Sequence, residues 1–379
     1  MRRELILAAA TLGGLLLAVP VMGGTPVRPP GAAPVPTSGA ADADTPGDAP
    51  APASPHAQAP PAADASREQE WTVAVISDLN ASYGSTEYGK EVHAAVNWLT
   101  EVARPDLVIS PGDLVAGQRQ GLDHGAMWQA FHQALTRPLA RAHIPFAISP
   151  GNHDASGSPA FWEERVEFAR QWQDRRPQVS FVDDRNYPFH YAFEMGPALF
   201  ISLDATTVGP LDEAQRHWLE GILKASDDYP VKIVFGHLPL HPVAVEKAEE
   251  SLGDEALEGL LRRYEVDLYV AGHHHAYYPG KRGGLGLLHS ACLGSGPRTL
   301  IGDDRLSDRS VALVRFGHDG VRQVDAYRGE HFDEVVPRQE LPRSVGQGSR
   351  RIWRDDVAPE MEAGEARRNG AATSLEGGA

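Results

Sequence analysis

The chain has 379 residues, 38 of them glycine and 30 proline, with 51 acidic against 35 basic residues. Its formal net charge of −16 excludes a general nucleic-acid binder, which needs a basic face for phosphates. That charge leaves room for a small phosphate ester held through metal ions. The one cysteine, Cys292, excludes an intramolecular disulfide and, within His289-Ser290-Ala291-Cys292-Leu293, reads as a buried inert thiol.

At the N-terminus, Met1-Arg2-Arg3-Glu4 precedes an apolar run, Leu5 to Val19, and small residues from Ala18 to Gly24. Basic, apolar and small regions in that order predict a signal peptide or N-terminal anchor over residues 1–24, and export to a periplasmic or secreted location. The run falls short of the ~20 residues that span a bilayer comfortably. Residues 5–19 therefore serve as a membrane tether only if left uncleaved. Residues 25–67 are dominated by Pro, Ala, Gly, Ser, Thr and Asp, bury too little surface to offset chain entropy, and predict a disordered linker. Residues 336–379 predict a disordered tail on the same grounds, with Ile352-Trp353 the large apolar pair that offers a point of docking. The folded domain is then 68–335.

Val73-Ala74-Val75-Ile76 reads as a buried strand ending at Ser77-Asp78. Val92, Val96, Leu99 and Ala103 recur at helical spacing until Arg104-Pro105. Leu107-Val108-Ile109 is a second strand, ending at Pro111-Gly112-Asp113. Met127, Phe131 and Leu135 mark a helix expected to stop at Pro138, and Ile144 to Ile148 a strand that breaks at Pro150-Gly151. A further helix carries Phe161, Phe168 and Trp172. Phe189 to Phe193 and Leu199 to Leu203 predict a hairpin around Met195-Gly196-Pro197, and Asp212 caps a helix with Trp218, Leu219 and Ile222. Val231 to Phe235 is a strand ending at Gly236-His237; a short helix follows with Leu257, Leu260 and Leu261. The strand Asp267 to Ala271 ends at Gly272-His273-His274-His275. Val311 to Phe316 and Val321 to Tyr327 form a hairpin across His318-Asp319-Gly320. Alternating strands and helices with a closing hairpin predict a layered α/β fold, sheets flanked by helices.

Five strand ends thus carry Asp78, Gly112-Asp113, Gly151-Asn152-His153-Asp154, Gly236-His237 and Gly272-His273-His274-His275. In α/β sheets, ligands gather outside the carboxyl ends of strands. Glycine before the polar residue lets the backbone turn and approach closely. Carboxylates, carboxamides and imidazoles at one rim suit ions such as Zn, Mn or Fe. One ion needs three or four donors, so the surplus points to two ions sharing a carboxylate. In Asn152-His153-Asp154 the amide oxygen offers a ligand, the imidazole a proton donor, and Asp154 a hold on its tautomer. In an extended segment His273 and His275 point one way and His274 the other.

This ordered set resembles the calcineurin-like metallophosphoesterases, a binuclear metal phosphoesterase superfamily, over most of residues 72–290. The family's Asp-x-His falls on Asp78-Leu79-Asn80, Gly-Asp on Gly112-Asp113 and Gly-Asn-His-Asp on Gly151 to Asp154. Gly-His falls on Gly236-His237, and Gly-His-x-His on Gly272 to His275. The resemblance implies a four-layer α-β-β-α sandwich of two mixed sheets flanked by helices. It implies a hydrolase that cleaves a phosphate mono- or diester with hydroxide generated at two metal ions, Mn, Fe or Zn. In that carry-over Asp113 bridges the ions, Asp78 and His275 join it at one, and Asn152, His237 and His273 at the other. His153, oriented by Asp154, is the general acid.

Asn80 stands where the family usually has a metal-binding histidine. Either its amide oxygen ligates or a water takes the place, and loss of the nitrogen donor shifts preference toward Mn or Fe. Purple acid phosphatases also lack that histidine but place a tyrosine three residues after the bridging aspartate, where this chain has Ala116. The alternative reading is a catalytically decayed metal-binding or envelope-binding module; His153, surplus to metal binding, speaks against it. Ser82-Tyr83-Gly84-Ser85-Thr86 reads as a lining of the substrate site or a plain loop. Leu293 to Arg298 reads as a glycine loop from which Arg298 clamps a phosphate. His241 is a further substrate candidate, and His124 and His132 read as helix-surface residues. No Gly-x-Ser-x-Gly elbow, His-Glu-x-x-His helix or Walker loop occurs.

Overall fold

Val73 and Val75 face one side of their strand and Ala74 the other, and all three are buried. A strand covered on both faces lies between layers. The computed structural model describes residues 69–294 and 296–357. The expected signal or anchor at 1–24, the linker at 25–67 and the end of the expected tail, 358–379, lie outside the described residues.

In chain order the strands are β1 (Trp71–Val75), β2 (Leu107–Ser110), β3 (Phe146–Ile148), β4 (Ser180–Asn186) and β5 (His190–Met195). They continue as β6 (Ala198–Ser202), β7 (Val231–Gly236), β8 (Leu268–Ala271), β9 (Tyr278–Arg282) and β10 (Leu285–His289). The last are β11 (Val311–Gly317), β12 (Gly320–Arg328), β13 (Glu334–Val335), β14 (Ser344–Val345) and β15 (Ile352–Arg354). One sheet has the order β13-β12-β11-β1-β2-β3 and the other β14-β15-β9-β10-β8-β7-β6-β5-β4. Both are mixed. β1, β2 and β3 run parallel with β11 antiparallel beside β1; β6, β7, β8 and β10 run parallel between antiparallel β5 and β9. Parallel alignment gathers the carboxyl ends of β1, β2 and β3, and those of β7 and β8, which is where the polar motifs sit.

The side-chain alternation makes four layers. Val73, Val75, Leu107 and Ile109 of the first sheet pack with Phe193, Phe200, Ile233 and Val270 of the second. Phe193 stacks on its cross-strand partner Phe200 at 5.0 Å, and Phe200 meets Phe316 edge-on at 6.0 Å. The opposite face of the first sheet carries Val108 and Ile148 against Val92, Met127, Phe131, Phe168 and Trp172 from helices. The second sheet turns Leu199, Ile201 and Val234 toward Leu219, Leu223, Leu257 and Leu261. Full burial of such a side chain stabilises by ~1.5–3 kcal/mol. The expected four-layer α-β-β-α sandwich is the observed fold.

Two expectations are corrected. The helix beginning at His124 does not stop at Pro138. It passes through a widened turn, His132–Thr136, and continues as Arg137–Arg141 with the proline at its start. The widened turn loosens the hydrogen-bond ladder just where proline lacks an N–H. The tail is ordered over 336–357: β15 adds to the edge of β9 and β14 pairs with β15. Ile352 and Val345 are buried in the outer cluster beside Tyr278 and Leu285. A polar segment needs no core of its own when a sheet edge supplies backbone partners. Its composition could not show this.

Candidate metal centre

The strand ends are knitted together by backbone contacts. Asp78 N–H donates to the Gly112 carbonyl at 3.1 Å and Gly272 N–H to the His237 carbonyl at 3.0 Å. His153 N–H donates to Asp113 Oδ1 at 2.8 Å, and His273 N–H to Asp78 Oδ2 at 3.0 Å. The glycines permit this closeness: a Cβ at Gly151 would stand 2.1 Å from Asp113 N, and one at Gly272 2.2 Å from Ser77 Oγ. Gly112 turns with φ 100°, and the polar residues turn as sharply. Asp78, Asp113, His273 and His275 have φ of 52°, 57°, 65° and 51°, left-handed values that cost L-residues ~1–2 kcal/mol each. Such strain persists only where surrounding contacts over-determine it.

Two donor groups result. Asp113, His237 and His273 form one, and Asp78, Asp113 and His275 the other; in each the ligand atoms lie within 4.8 Å of one another, and Asp113 is common to both. Hydrogen-bond partners fix the tautomers. His237 Nδ1 faces the Pro111 carbonyl at 2.8 Å and must carry the hydrogen, so Nε2 presents its lone pair. That lone pair faces Asn152 Oδ1 at 2.8 Å, Asp113 Oδ2 at 3.3 Å and His273 Nδ1 at 3.2 Å. His273 Nε2 donates to Glu250 at 2.9 Å, so its Nδ1 is also a lone pair. Asn152 Nδ2 donates to Gln118 Oε1 at 2.9 Å, which turns its oxygen inward. At the other group, His275 Nδ1 donates to the Gly296 carbonyl at 2.8 Å and Nε2 faces Asp78 Oδ1 at 3.1 Å.

Lone pairs aimed at one another must share a cation, either a proton or a metal ion. Burial pulls His237 down, yet the Asp113 carboxylate beside it prevails and raises it to about 9. Burial likewise opposes charge on His275, and Asp78 overrides it and lifts the imidazole well above its ordinary value. Both carboxyls are held below theirs despite burial, Asp78 by His275 and Asp113 by His237 and His153. Hard carboxylate and amide oxygens mixed with imidazole nitrogens fit Zn, Mn or Fe, so the donor set suits the two ions expected.

The sequence candidates divide. Asp78, Asp113, Asn152, His237, His273 and His275 converge. Asn80 is buried, two residues beyond Asp78, with its N–H toward the Asp113 carbonyl at 3.3 Å. His153 lies at the rim, its Nδ1 donating to the Gly117 carbonyl at 3.1 Å and its Nε2 4.0 Å from Asp113 Oδ2.

Asp154 does not orient His153. Its Oδ1 accepts from Leu114 and Val115 N–H at 2.7 and 2.9 Å, and its Oδ2 from Gly151 N–H at 3.0 Å. It ties two loops together, and the Gly117 carbonyl orients the imidazole. His241, the further substrate candidate, is buried and bonded through Nε2 to Glu258 at 2.7 Å. His132 is not at the surface but buried between Thr136 and Gln171. His274 does face away from the donors, although the segment is turned rather than extended. Its Nδ1 accepts from Val243 and Ala244 N–H at 3.2 and 3.1 Å, and its Nε2 donates to the Glu250 carbonyl at 2.8 Å. Arg298 N–H reaches the His275 carbonyl at 3.3 Å, and its buried Nε has no hydrogen-bond partner among the described residues.

Sequence reasoning missed Glu250, Gln118 and the contact of the Cys292 thiol with the His275 ring. None belongs to a motif; only the folded positions bring them to the ligands.

A family model for calcineurin-like phosphoesterase matches residues 72–277. Purple acid phosphatase 22 of Arabidopsis thaliana is 26% identical over 221 residues, 57% of this chain and 43% of its own length. The manganese-dependent ADP-ribose/CDP-alcohol diphosphatase of Danio rerio is 35% identical over 69 residues, 18% of this chain and 21% of its own. This chain spans less than half the length of these curated relatives. Among solved structures, purple acid phosphatase PPD1 from yellow lupin (Lupinus luteus) seeds has a TM-score of 0.54 at 18% identity, over 71% of this chain and 53% of that one. That likeness is one of fold.

Proposed function

Because the chain belongs to the calcineurin-like phosphoesterase family, whose model matches residues 72–277, we propose that it hydrolyses a phosphate mono- or diester at a two-metal site. The observation that carries this is the pair of donor groups sharing Asp113, with His153 beside both and a member of neither. Asp78, Asp113 and His275 would hold one ion; Asp113, Asn152, His237 and His273 the other. Asn80 would add an amide oxygen at the first or leave its place to water. When bound, two ions of the Mn, Fe or Zn type supply a water acidified toward neutrality and neutralise charge on phosphoryl oxygens.

The remaining work falls to the chain. His153, held through Nδ1 by the Gly117 carbonyl, offers Nε2 at the rim as general acid to the departing oxygen. Arg298, with its Nε unpartnered among the described residues, is the candidate to receive phosphate oxygens. The basic, apolar and small-residue order of residues 1–24 fits export, and cell fractionation with N-terminal sequencing tests this.

The test is metal content per chain together with hydrolysis of aryl phosphate mono- and diesters, after metal depletion and reconstitution with Mn, Zn or Fe. About two ions with turnover support the reading. His153→Ala should keep its ions yet lose ~10²–10⁴ in rate; loss of ions instead would make His153 a ligand. Asn80 favours the second reading, a decayed metal- or envelope-binding module. Under it, no ion restores turnover, and Asn80→His raises activity strongly. An active enzyme should respond little to that change.

A further inference from the structure

Tyr83 and Trp162 are the large aromatic side chains most exposed among the described residues, at 53% and 59%. Isolated exposed apolar residues are ordinary. Tyr83 is set apart by its position and its fixed loop. Its ring centroid lies 5.4 Å from that of His153, tilted by 49°. Gly84 N–H donates to the Ala116 carbonyl at 2.9 Å, and Tyr88 Oη to the Leu114 carbonyl at 2.7 Å. Both anchors are on the segment that follows Asp113. Gly84 has φ +77°, a left-handed value that favours glycine, and Leu122 Cδ2 packs 2.9 Å from where a Cβ would stand, so this turn is built for glycine.

We infer that Tyr83 is the platform for the leaving group and selects esters whose departing alcohol is aromatic. This rests on the phosphoesterase reading, with His153 as the proton donor. A general acid must come within hydrogen-bond reach of the oxygen it protonates. As water oxygen bonds to phosphorus and gives up a proton to solvent, the bond to the ester oxygen breaks, that oxygen takes the proton from His153 Nε2, and the imidazole regains one from solvent. A ring attached to this oxygen lies within one ring's reach of Tyr83 and can stack on its exposed face. An alkyl group there gains less, because it brings no π-face.

The experiment compares kcat/KM for phenyl and n-butyl phosphate, or their methyl diesters if only diesters turn over. The full metal-loaded chain, Tyr83→Phe and Tyr83→Ala are assayed side by side. Taking each variant relative to the parent cancels differences in leaving-group acidity. Tyr83→Ala should lower the phenyl ester roughly 3- to 10-fold more than the butyl ester, the worth of one aromatic stack, and Tyr83→Phe should keep the parent's ratio. Equal losses on both esters would show that the ring acts through His153 alone and would overturn the inference. A ratio in Tyr83→Phe as low as in Tyr83→Ala would assign the effect to the hydroxyl and overturn it too. If the metal-loaded parent cleaves neither ester, the phosphoesterase reading falls and takes this inference with it, a failure visible before any variant is made.

Discussion

Glu250 offers a direct test of how the donor groups are held. Its Oε2 accepts from His273 Nε2 at 2.9 Å, leaving Nδ1 for the ion, while His274 grips the Glu250 carbonyl at 2.8 Å. That hydrogen bond is the main cause of the carboxyl's descent to about 2. Carboxylates behind a ligating histidine are worth roughly 10–100-fold in metal affinity. Glu250 is 41% exposed, so water weakens the contact and the lower end applies. Glu250→Ala should therefore cost about tenfold, ~1.4 kcal/mol, in one of the two stepwise metal constants. Glu250→Gln keeps an acceptor without the charge and should cost about two- to threefold by the same reasoning. Competition of metal-depleted protein with a chromophoric chelator for Mn²⁺ or Zn²⁺ measures both constants. The constant served by Asp78 and His275 should hold within about twofold. If both constants fall together, or neither moves, Glu250 does not act through His273.

Asp154→Asn replaces an acceptor with a donor opposite Gly151 N–H. Burial and the Asp113 charge already push this carboxyl up to about 8 against the pull of its N–H donors. The variant should lose ~1–3 kcal/mol of stability, read by denaturant unfolding. Its pH–rate profile should keep the parent's shape, and a shifted profile would return Asp154 to the role of orienting His153. Glu164, buried against the loop at Gln118, is raised by burial from 4.5 to about 7. The folded chain thus binds this proton more tightly than the unfolded one. The group's contribution is full below pH 4.5 and is lost as pH rises through about 7. Glu164→Gln should leave Tm near its parent value at pH 4.5 and raise it at pH 8; equal Tm values at both pH would remove the charge argument.

The sequence alone determined the elements and the order of the ligands. Runs such as Val73 to Ile76 and Leu107 to Ile109 are apolar throughout because both faces of their strands are covered. Polar residues just beyond them stand out because a strand end is where the chain leaves that cover. Motif chemistry is local, so Asp78, Asp113, Asn152, His237, His273 and His275 were legible as one set. Only the tertiary structure decided what holds them. Asp154 and His153 are neighbours in sequence, yet the short helix Asn152–Ala155 sends one side chain to Leu114, Val115 and Gly151 and the other to the Gly117 carbonyl. Glu250 reaches His273 and Gln118 reaches Asn152 across 23 and 34 residues of chain, separations at which no spacing rule applies. The tail followed the same logic: its composition lacks a core, and β9 provides the edge it joins. A hydrogen bond to a distant segment leaves no mark in either partner's local sequence, because it is decided by where packing brings the backbone.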